Sequence, residues 1–376
     1  MKCIYLILLC FTIPALGQEH PVNEPPSGIQ VRIHIPQKPL PVNIDNKPRL
    51  IYEAHLGNMT AKHVGLLGFS LVDLKKGKTI LHYDSIALAG RLRALTPGAK
   101  DSGNIMAPGT TYILYIEATA EGNTFPVFVH RYNFRKEGQS GFSLVKYQDT
   151  LLFVNPAPVV LSSPLKGGNW AAIYSPVWER GHRRVVYTVD GKQRIPGRFA
   201  IDFMKLDSIH YVQGNEDSIN NWYGYAQEVL AVADGEVASV LDDFPESPTL
   251  SAHPDYRPEH ATGNYISLKI ADSRYVFYEH LKPGSIRVRP GQRDRKGQVI
   301  ALVGFTGQTT GPHLHFHVAD SNSPLGAEGL PFVFEKFTQT GSYPDFSKFG
   351  KEKFIRIPAR KIRREMPASN TVVIFN

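Results

Sequence analysis

Three histidines stand on alternate positions of the sequence, at His313, His315 and His317. In a β-strand, alternate side chains project from the same face, so these imidazoles would point towards one place. A single histidine is more often a satisfied polar residue than a ligand, but imidazole is the commonest metal-binding side chain. Three histidines at strand spacing, with apolar residues between them, therefore predict a strand that binds a metal or takes part in catalysis.

Two more side chains suit the same chemistry. Asp202 stands among apolar residues at 199–203, where a carboxylate is costly to bury unless a cation or hydrogen-bond donors meet it. The alternative is an aspartate that caps a loop through local backbone hydrogen bonds. His280 comes near the end of a mostly aromatic run at 275–281, which would present it at the rim of a sheet.

The elements that must position these residues are short strands separated by turns. An Asp190-Gly191 pair predicts a tight hairpin with strands at 185–189 and 198–203. Little helix is expected beyond a segment near 220–225, so a compact all-β unit is predicted. Further apolar runs with glycine turns lie at 229–237, 265–270, 275–281, 288–292 and 296–303.

The first half of the chain shows a different strand pattern. Many of its short apolar segments alternate with polar residues, and glycine or proline separates most of them, which predicts an antiparallel β-sandwich of immunoglobulin-like type. Its histidines are scattered singly, so this half is interpreted as a spacer or binding module. Example segments are 29–35, 66–72, 111–117 and 126–132.

The start of the chain is typical of a secretory signal peptide. It has a basic residue, an apolar run at 4–16 and small residues before a cleavage site after Gly17, and the run is too short for a lasting membrane anchor. A lipoprotein is the less favoured alternative, because leucines precede Cys10. Both cysteines, Cys3 and Cys10, fall in this segment, so the exported protein would be held together without disulfides. Export to the periplasm or the medium is expected.

The remaining organisation follows from charge and proline. The formal charge is +8, and basic residues gather near the C-terminus; no aromatic residues interleave with them, so nucleic acid is not expected and a solvated tail is the interpretation. Prolines near 155–158 mark a boundary. The predicted division is a signal peptide at 1–17, a β-sandwich at 18–158, a histidine-bearing domain at 159–345 and a basic tail at 346–376, whose final apolar run at 371–375 either adds a strand or trails.

The second half resembles the lysostaphin-type, LytM-like zinc metallopeptidases, which cut peptide cross-links of peptidoglycan. The resemblance covers most of residues 195–320, and its most specific stretch is Gly304 to Phe316, with Thr-Gly-Pro-His-Leu-His-Phe at its end. It implies a β-sheet groove fold of duplicated, lipoyl-like half-barrels, and Zn²⁺ as the cofactor. The other matching stretches are 199–202, 231–237, 263–264, 278–281 and 297–301.

The resemblance also implies roles for the site residues. Asp202 and His315 correspond to zinc ligands, and His280 and His313 to the catalytic pair that activates the zinc-bound water and stabilises the attacked carbonyl. The family has another ligand histidine four residues before the aspartate, where this chain has Arg198. A guanidinium group cannot coordinate zinc, so a replacement ligand is needed if zinc is held as in the family.

Two residues could replace the missing ligand. His182 would pair opposite Phe199 across the hairpin, on the wrong face unless a bulge near Pro196-Gly197 shifts the register. His317 shares a face with His315 and stands where the family usually has an acidic residue, so it could ligate zinc or orient a ligand. His182 is slightly preferred, because its sequence context resembles a variant branch of the family with the same Arg-Phe-Ala-Ile-Asp strand.

Two functions follow from these residues. The leading hypothesis is an exported zinc metalloendopeptidase that hydrolyses peptidoglycan stem peptides or cross-bridges, with a protein outside the wall as a less favoured substrate. The alternative is a catalytically degenerate LytM-like module that binds cell wall or regulates other hydrolases. The first half could bind a partner protein, and no integral membrane segment is expected after signal cleavage.

Overall fold

A computed structural model describes residues 30–96, 98, 100–101, 103–119, 127–138, 141–151 and 158–376. The predicted signal peptide and most of the predicted linker lie outside these residues. The regular secondary structure of the described residues is almost entirely β, as predicted, with one short α-helix, α1 (Ser85–Ala89), which begins after Asp84. None of the described helices has the length and apolar character needed to cross a membrane.

The first half forms two five-stranded sheets around one apolar core. One sheet has the order β1-β3-β8-β6, with β2 beside β3, and the other has the order β10-β9-β4-β5, with β7 beside β4. Both sheets contribute to the core between them. The strands are β1 (Val31–His34), β2 (Pro41–Ile44), β3 (Lys47–Asn58), β4 (Val64–Asp73), β5 (Lys78–Asp84), β6 (Leu92–Ala94), β7 (Ile105–Met106), β8 (Thr111–Thr119), β9 (Phe128–Gly138) and β10 (Gly141–Leu151).

Strand β3 is buried on both faces. Leu50 and Tyr52 on one face belong to the core of the first half, whereas Ile51 on the other face belongs to the core of the second half. Glu53, two residues further along that second face, is only 1% exposed. Side chains alternate along a strand, so one face of β3 packs in the core of the first half and its other face packs against the second half. In this way β3 joins the two halves of the chain.

The second half is organised by a ten-stranded sheet in the order β20-β17-β18-β19-β22-β15-β12-β26-β24-β25. The remaining strands make three two-stranded sheets, β11-β23, β13-β14 and β16-β21. The strands are β11 (Val159–Leu161), β12 (Gly167–Ile173), β13 (Tyr187–Val189), β14 (Lys192–Arg194), β15 (Ile201–Lys205), β16 (Glu228–Leu230), β17 (Gly235–Leu241), β18 (Tyr265–Ala271), β19 (Arg274–Glu279), β20 (Arg293–Asp294), β21 (Val299–Leu302), β22 (Leu314–Ala319), β23 (Phe332–Phe334), β24 (Phe337–Ser342), β25 (Ile355–Ile362) and β26 (Thr371–Phe375).

Short 3-10 helices separate several of these strands. Two of them flank the β13–β14 hairpin and are called here the His182 turn (His182–Arg184) and the Pro196 turn (Pro196–Phe199). The others are Ile219–Asn221, Pro258–His260 and Phe346–Lys348.

The predicted hairpin is present, but its flanks are not strands. Asp190 and Gly191 form the turn with φ values of +50° and +72°, which suits the primed turns of two-residue hairpins. Arg198 and Phe199, the start of the strand expected at 198–203, lie in the Pro196 turn, and β15 begins only at Ile201. Proline fixes φ near the helical value and offers no N–H to a β-ladder, which favours this turn over a strand.

The predicted basic tail at 346–376 does not trail from the domain but adds strands to its sheet, which is the other possibility that the sequence left open. Strand β26 lies between β12 and β24 inside the ten-stranded sheet, and its Val372 and Val373 are fully buried. Its β-branched residues suit a buried strand, and this explains why the segment joins the sheet. The basic side chains of 356–364 are exposed on and beside the edge strand β25, where charge discourages edge-to-edge pairing.

Candidate metal centre

Three neighbouring strands bring the predicted site residues into one row. His315 on β22 pairs with Asp202 on β15 to one side and with Glu279 on β19 to the other. The Nδ1 atom of His315 lies 2.8 Å from Oδ1 of Asp202. Leu314 and Phe316 point to the opposite face and pack in the core, so the alternation predicted for this strand is present.

His182 completes this row on the side of Asp202. Its Nε2 lies 3.0 Å from Oδ2 of Asp202, and its ring centroid lies 4.8 Å from that of His315. The ligand atoms of His182, Asp202 and His315 lie within 4.8 Å of one another. His182 reaches this place from the His182 turn, so strand register does not govern which way it points.

Contact between the two turns determines the position of His182. A Cβ atom added to Gly197 would lie 2.8 Å from the carbonyl oxygen of His182 and 2.9 Å from its Cβ. Glycine is therefore required at 197 for the two backbones to approach this closely. No bulge in a strand is needed, because the Pro196 turn itself breaks the alternation.

Arg198 points away from this row. Its side chain is 1% exposed and binds carboxylates of both Glu53, at 2.6 Å, and Glu328, at 2.6 Å. It also donates to the carbonyl of Gly329 at 2.8 Å. The position of the missing family histidine therefore serves a buried ion-pair network, and His182 occupies the place beside Asp202.

His313 and His280 are held by backbone carbonyls. Nδ1 of His313 lies 2.8 Å from the carbonyl of Gly311, and Nδ1 of His280 lies 2.8 Å from that of Thr306. A carbonyl only accepts, so Nδ1 of each ring carries the hydrogen and Nε2 is the basic atom. Nε2 of His313 lies 3.2 Å from Oδ1 of Asp202. The ring centroids of His280 and His313 are 4.8 Å apart.

His280 has an unusual backbone conformation. Its φ of +61° lies in the left-handed region, which is rare for a residue other than glycine and is often found at functional sites. Glu279, the residue before it, faces the row on β19, and normal strand alternation would turn His280 to the opposite side. The left-handed residue instead allows both neighbours to face the same cleft.

His317 lies one step further along the same face. It is 1% exposed, stacks on Phe277 with 4.8 Å between ring centroids, and lies 3.7 Å from Glu279. Both of its ring nitrogens are buried without a hydrogen-bond partner. It forms a possible ligand group with Glu279 and His315, which shares His315 with the group that contains His182 and Asp202.

Burial and mutual contacts shift the protonation of the row. Burial would raise the pKa of Asp202, but His182 and His313 hold that pKa well below its ordinary value. Burial would lower the pKa of His182 and His313, but Asp202 raises both. Burial lowers the pKa of His280 well below its ordinary range, and the His313 and His315 rings lower it further.

The row forms the floor of a cleft of about 660 Å³. Two imidazoles and one carboxylate, from His182, His315 and Asp202, are a donor set that suits a catalytic zinc ion with one position left open. Aromatic side chains and loop residues line the walls, which gives room for an extended substrate. Wall residues include Tyr187, His253, Tyr256, Phe305 and Gln308.

A protein-family comparison matches part of the second half of the chain. Residues 219–326 match peptidase family M23. The second half of the chain thus contains a LytM-type M23 domain. His280, His313, His315 and His317 lie inside the matched segment, whereas His182, Arg198 and Asp202 precede it, so the departure at Arg198 falls outside the match.

Curated relatives of the M23 domain are similar over short segments. The chain is 45% identical over 65 residues to peptidoglycan DD-endopeptidase ShyB of Vibrio cholerae, covering 17% of this chain and 15% of that protein. It is 31% identical over 77 residues to DD-carboxypeptidase/endopeptidase Mpg of Neisseria meningitidis, covering 20% of this chain and 17% of that protein. The similarity therefore spans only about a sixth of the length of either relative.

Solved structures of M23 proteins are also similar to the chain. The catalytic domain of lysostaphin from Staphylococcus simulans is 19% identical, covering 44% of this chain and 88% of that chain, with a TM-score of 0.24. A zinc-containing peptidase from Vibrio cholerae is 17% identical, covering 77% of this chain and 82% of that chain, with a TM-score of 0.22.

Several residues at the site were not found from the sequence. Glu279 stands beside the recognised His280, but a glutamate in an aromatic strand gives no signal of its own. Glu53 and Glu328 are far from Arg198 in the chain, separated by 145 and 130 positions. The only hint was the Arg183-Arg184 pair next to His182, since buried arginines need acidic partners.

Proposed function

We propose that this protein is a zinc-dependent endopeptidase that hydrolyses peptide bonds of peptidoglycan. The observation that supports this most directly is the grouping of His182, Asp202 and His315 beside His280 and His313 on one cleft floor. The peptidoglycan substrate is suggested by the M23 match and by relatives named for that activity. Export through the N-terminal segment is part of this proposal.

The proposed metal ligands are His182, Asp202 and His315. When bound there, zinc would lower the pKa of a coordinated water towards about 7 and polarise a nearby carbonyl. Asp202 supplies the anionic charge of the set and already lies within 2.8 to 3.2 Å of three imidazoles. His317 remains the alternative ligand of the sequence analysis, but its group does not include Asp202.

The proposed catalytic pair is His280 and His313. Carbonyl oxygens of Thr306 and Gly311 fix the hydrogen of each ring on Nδ1, which makes Nε2 the basic atom of each ring; Nε2 of His313 also lies 3.2 Å from Oδ1 of Asp202. One neutral imidazole can take a proton from the attacking water, and a protonated imidazole can donate a hydrogen bond to the oxyanion or a proton to the leaving amine. The cleft then holds the peptide in reach of both rings.

A digestion of purified sacculi tests this proposal. The full chain, loaded with one equivalent of zinc, is expected to release new free amines and soluble muropeptides, and chelation should abolish both. His313→Ala should lose activity by about 100-fold or more, as expected for a general acid–base group. His210→Ala, at a half-exposed surface histidine, is the matched control and should keep full activity.

The same experiment distinguishes the alternative function. A protein that binds zinc and sacculi but releases no amines would be a wall-binding or regulatory module instead. Arg198 was the reason to consider that alternative, and His182 now occupies the place beside Asp202 that a missing ligand would leave open. This observation favours the enzyme.

A further inference from the structure

A buried group of charged side chains joins the first half of the chain to the second half. Glu53 of β3 receives Nε of Arg183 on one carboxylate oxygen, at 2.7 Å, and Nε of Arg198 on the other, at 2.6 Å. All three side chains are at most 1% exposed. Each oxygen of one glutamate thus binds a different arginine of the other half.

The rest of the group satisfies the two arginines. Arg183 also binds the carboxylate of Glu117 at 2.6 Å and the carbonyl of Tyr52 at 2.8 Å. These partners lie in β8 and β3 of the first half, and Arg183 also donates to the carbonyl of Ile116 in β8, at 3.1 Å. The other partners of Arg198, Glu328 and Gly329, lie within the second half of the chain.

The charges of this group balance. Three guanidinium groups, of Arg183, Arg194 and Arg198, face three carboxylates, of Glu53, Glu117 and Glu328. A buried charge without its partner is strongly destabilising. Glu53 binds both of the buried arginines, Arg183 and Arg198. Removing its carboxylate therefore takes one ion-pair partner from each arginine and breaks the link between them.

The two arginines are the neighbours of the residues that place His182. Arg183 directly follows His182 in the His182 turn, and Arg198 directly follows Gly197 in the Pro196 turn. The backbones of His182 and Gly197 lie so close together that a Cβ atom on residue 197 would be 2.8 Å from the carbonyl oxygen of His182. A single carboxylate from the first half therefore holds together the two turns whose contact sets the position of His182.

We propose that Glu53 is a positioning residue for the metal centre, and that the first half of the chain completes this centre by holding His182 beside Asp202. This inference rests on the proposed role of His182 as a zinc ligand. It gives the first half a function that a spacer or wall-binding module would not have. It also explains why Arg occupies position 198: the family ligand is exchanged for a residue that fastens the His182 turn.

A double-mutant cycle on the full chain tests this proposal. Zinc affinity is measured by competition with a chromophoric chelator for the native protein, Glu53→Gln, His182→Ala and the double variant. Glu53→Gln is expected to weaken zinc binding by about 10- to 100-fold, as partners outside the coordination sphere do. In the His182→Ala background, the same change should have no further effect, because Glu53 acts through His182.

Two further variants keep the test decisive. Glu179→Gln removes another carboxylate that bridges the halves, through Arg93 at 2.9 Å, without touching Arg183 or Arg198, and should leave zinc affinity unchanged. Unfolding of the metal-free proteins is followed on the same samples. Where Glu53→Gln lowers the folded fraction, Glu53→Asp replaces it, because its shorter side chain keeps the charge but cannot reach both arginines.

The outcomes separate this inference from the proposed function. Native zinc affinity in both Glu53 variants, or an equal loss in the presence and absence of His182, would overturn the positioning role alone. A native protein that binds no zinc would overturn both. Loss of affinity in Glu179→Gln as large as in Glu53→Gln would assign the effect to general loosening of the interface, and would also overturn the proposal.

Discussion

At the residue scale, Arg198 forms buried ion pairs, whereas His182 lies beside Asp202. Arg198 stands at the family position for a ligand but is held by Glu53 and Glu328 in the interior. His182 approaches Asp202 from a separate turn. We propose that His182 supplies the third ligand from this different element.

Arg198→His is expected to harm the protein rather than restore a family-like site. The shorter imidazole would leave Glu53 and Glu328 buried without their partner, and breaking a buried pair costs about 3–5 kcal/mol. The free energy of unfolding, measured by denaturant titration, should fall by about that amount, with no gain in bound zinc. Arg356→His, at an exposed arginine of β25, is the control and should change stability little.

The structure brings most of the site residues proposed from the sequence together. His280, His313, His315, Asp202 and His182 all lie on the cleft, because alternation along a strand and motif spacing carry information over short distances. Glu53 was missed, because its contact with Arg183 joins residues 130 positions apart. No local pattern distinguishes a glutamate that is solvent-exposed from one that meets a distant arginine.

At the element scale, two short 3-10 turns take the place of the strand that was predicted. Strand alternation would put His182 on the wrong face only if residues 182 and 199 lay in paired strands, and neither residue lies in a strand. Pro196 ends the hairpin ladder, and the Pro196 turn reorients the chain before β15. Strands with apolar alternation were predictable, whereas turns that depend on tertiary contact were not.

Gly197→Ala tests the contact between these turns. The added methyl group would meet the backbone of His182 at 2.8 Å, which forces the His182 turn away from Asp202. Zinc affinity should fall although no ligand is altered, and competition titration measures it. Gly57→Ala is the matched control, because its Cβ would meet neighbours only at 3.6 Å or more; equal affinity in the two variants would contradict this account.

At the scale of the whole molecule, the faces of β3 and β8 that point away from the core of the first half form the interface with the second half. Ile113 and Tyr115 of β8 pack with Ile195, and Ile51 of β3 joins the core of the second half. The all-β class of both halves was predictable from their strand patterns. The mutual arrangement of the two halves was not predictable. A strand whose second face is buried against another domain has the same composition as a strand that is buried on both faces within one domain.

Acid should weaken this interface through His55. Burial lowers the pKa of His55 from 6.5 to about 4, with Glu53, His34, Glu328 and Arg198 as the nearby charges. Because the folded protein binds this proton less readily than the unfolded chain, the free energy of unfolding should fall as the pH drops from about 6.5 towards 4.

Denaturant titrations between pH 7.5 and 4.5 measure this loss. His55→Gln should lose less stability than the native protein over that range, because the substituted side chain does not titrate. His63→Gln, at an exposed histidine of the same half, should behave like the native protein. An identical pH profile for the His55 variant and the native protein would refute the assignment.

The central claim is that His182 replaces the missing family histidine as a zinc ligand. Anomalous diffraction at the zinc edge from zinc-loaded crystals of the full chain tests it most directly. The account predicts one zinc peak about 2.0–2.2 Å from nitrogen atoms of His182 and His315 and an oxygen of Asp202. A peak coordinated by Glu279 and His317 with His182 turned away, or no zinc peak beside Asp202, would contradict it.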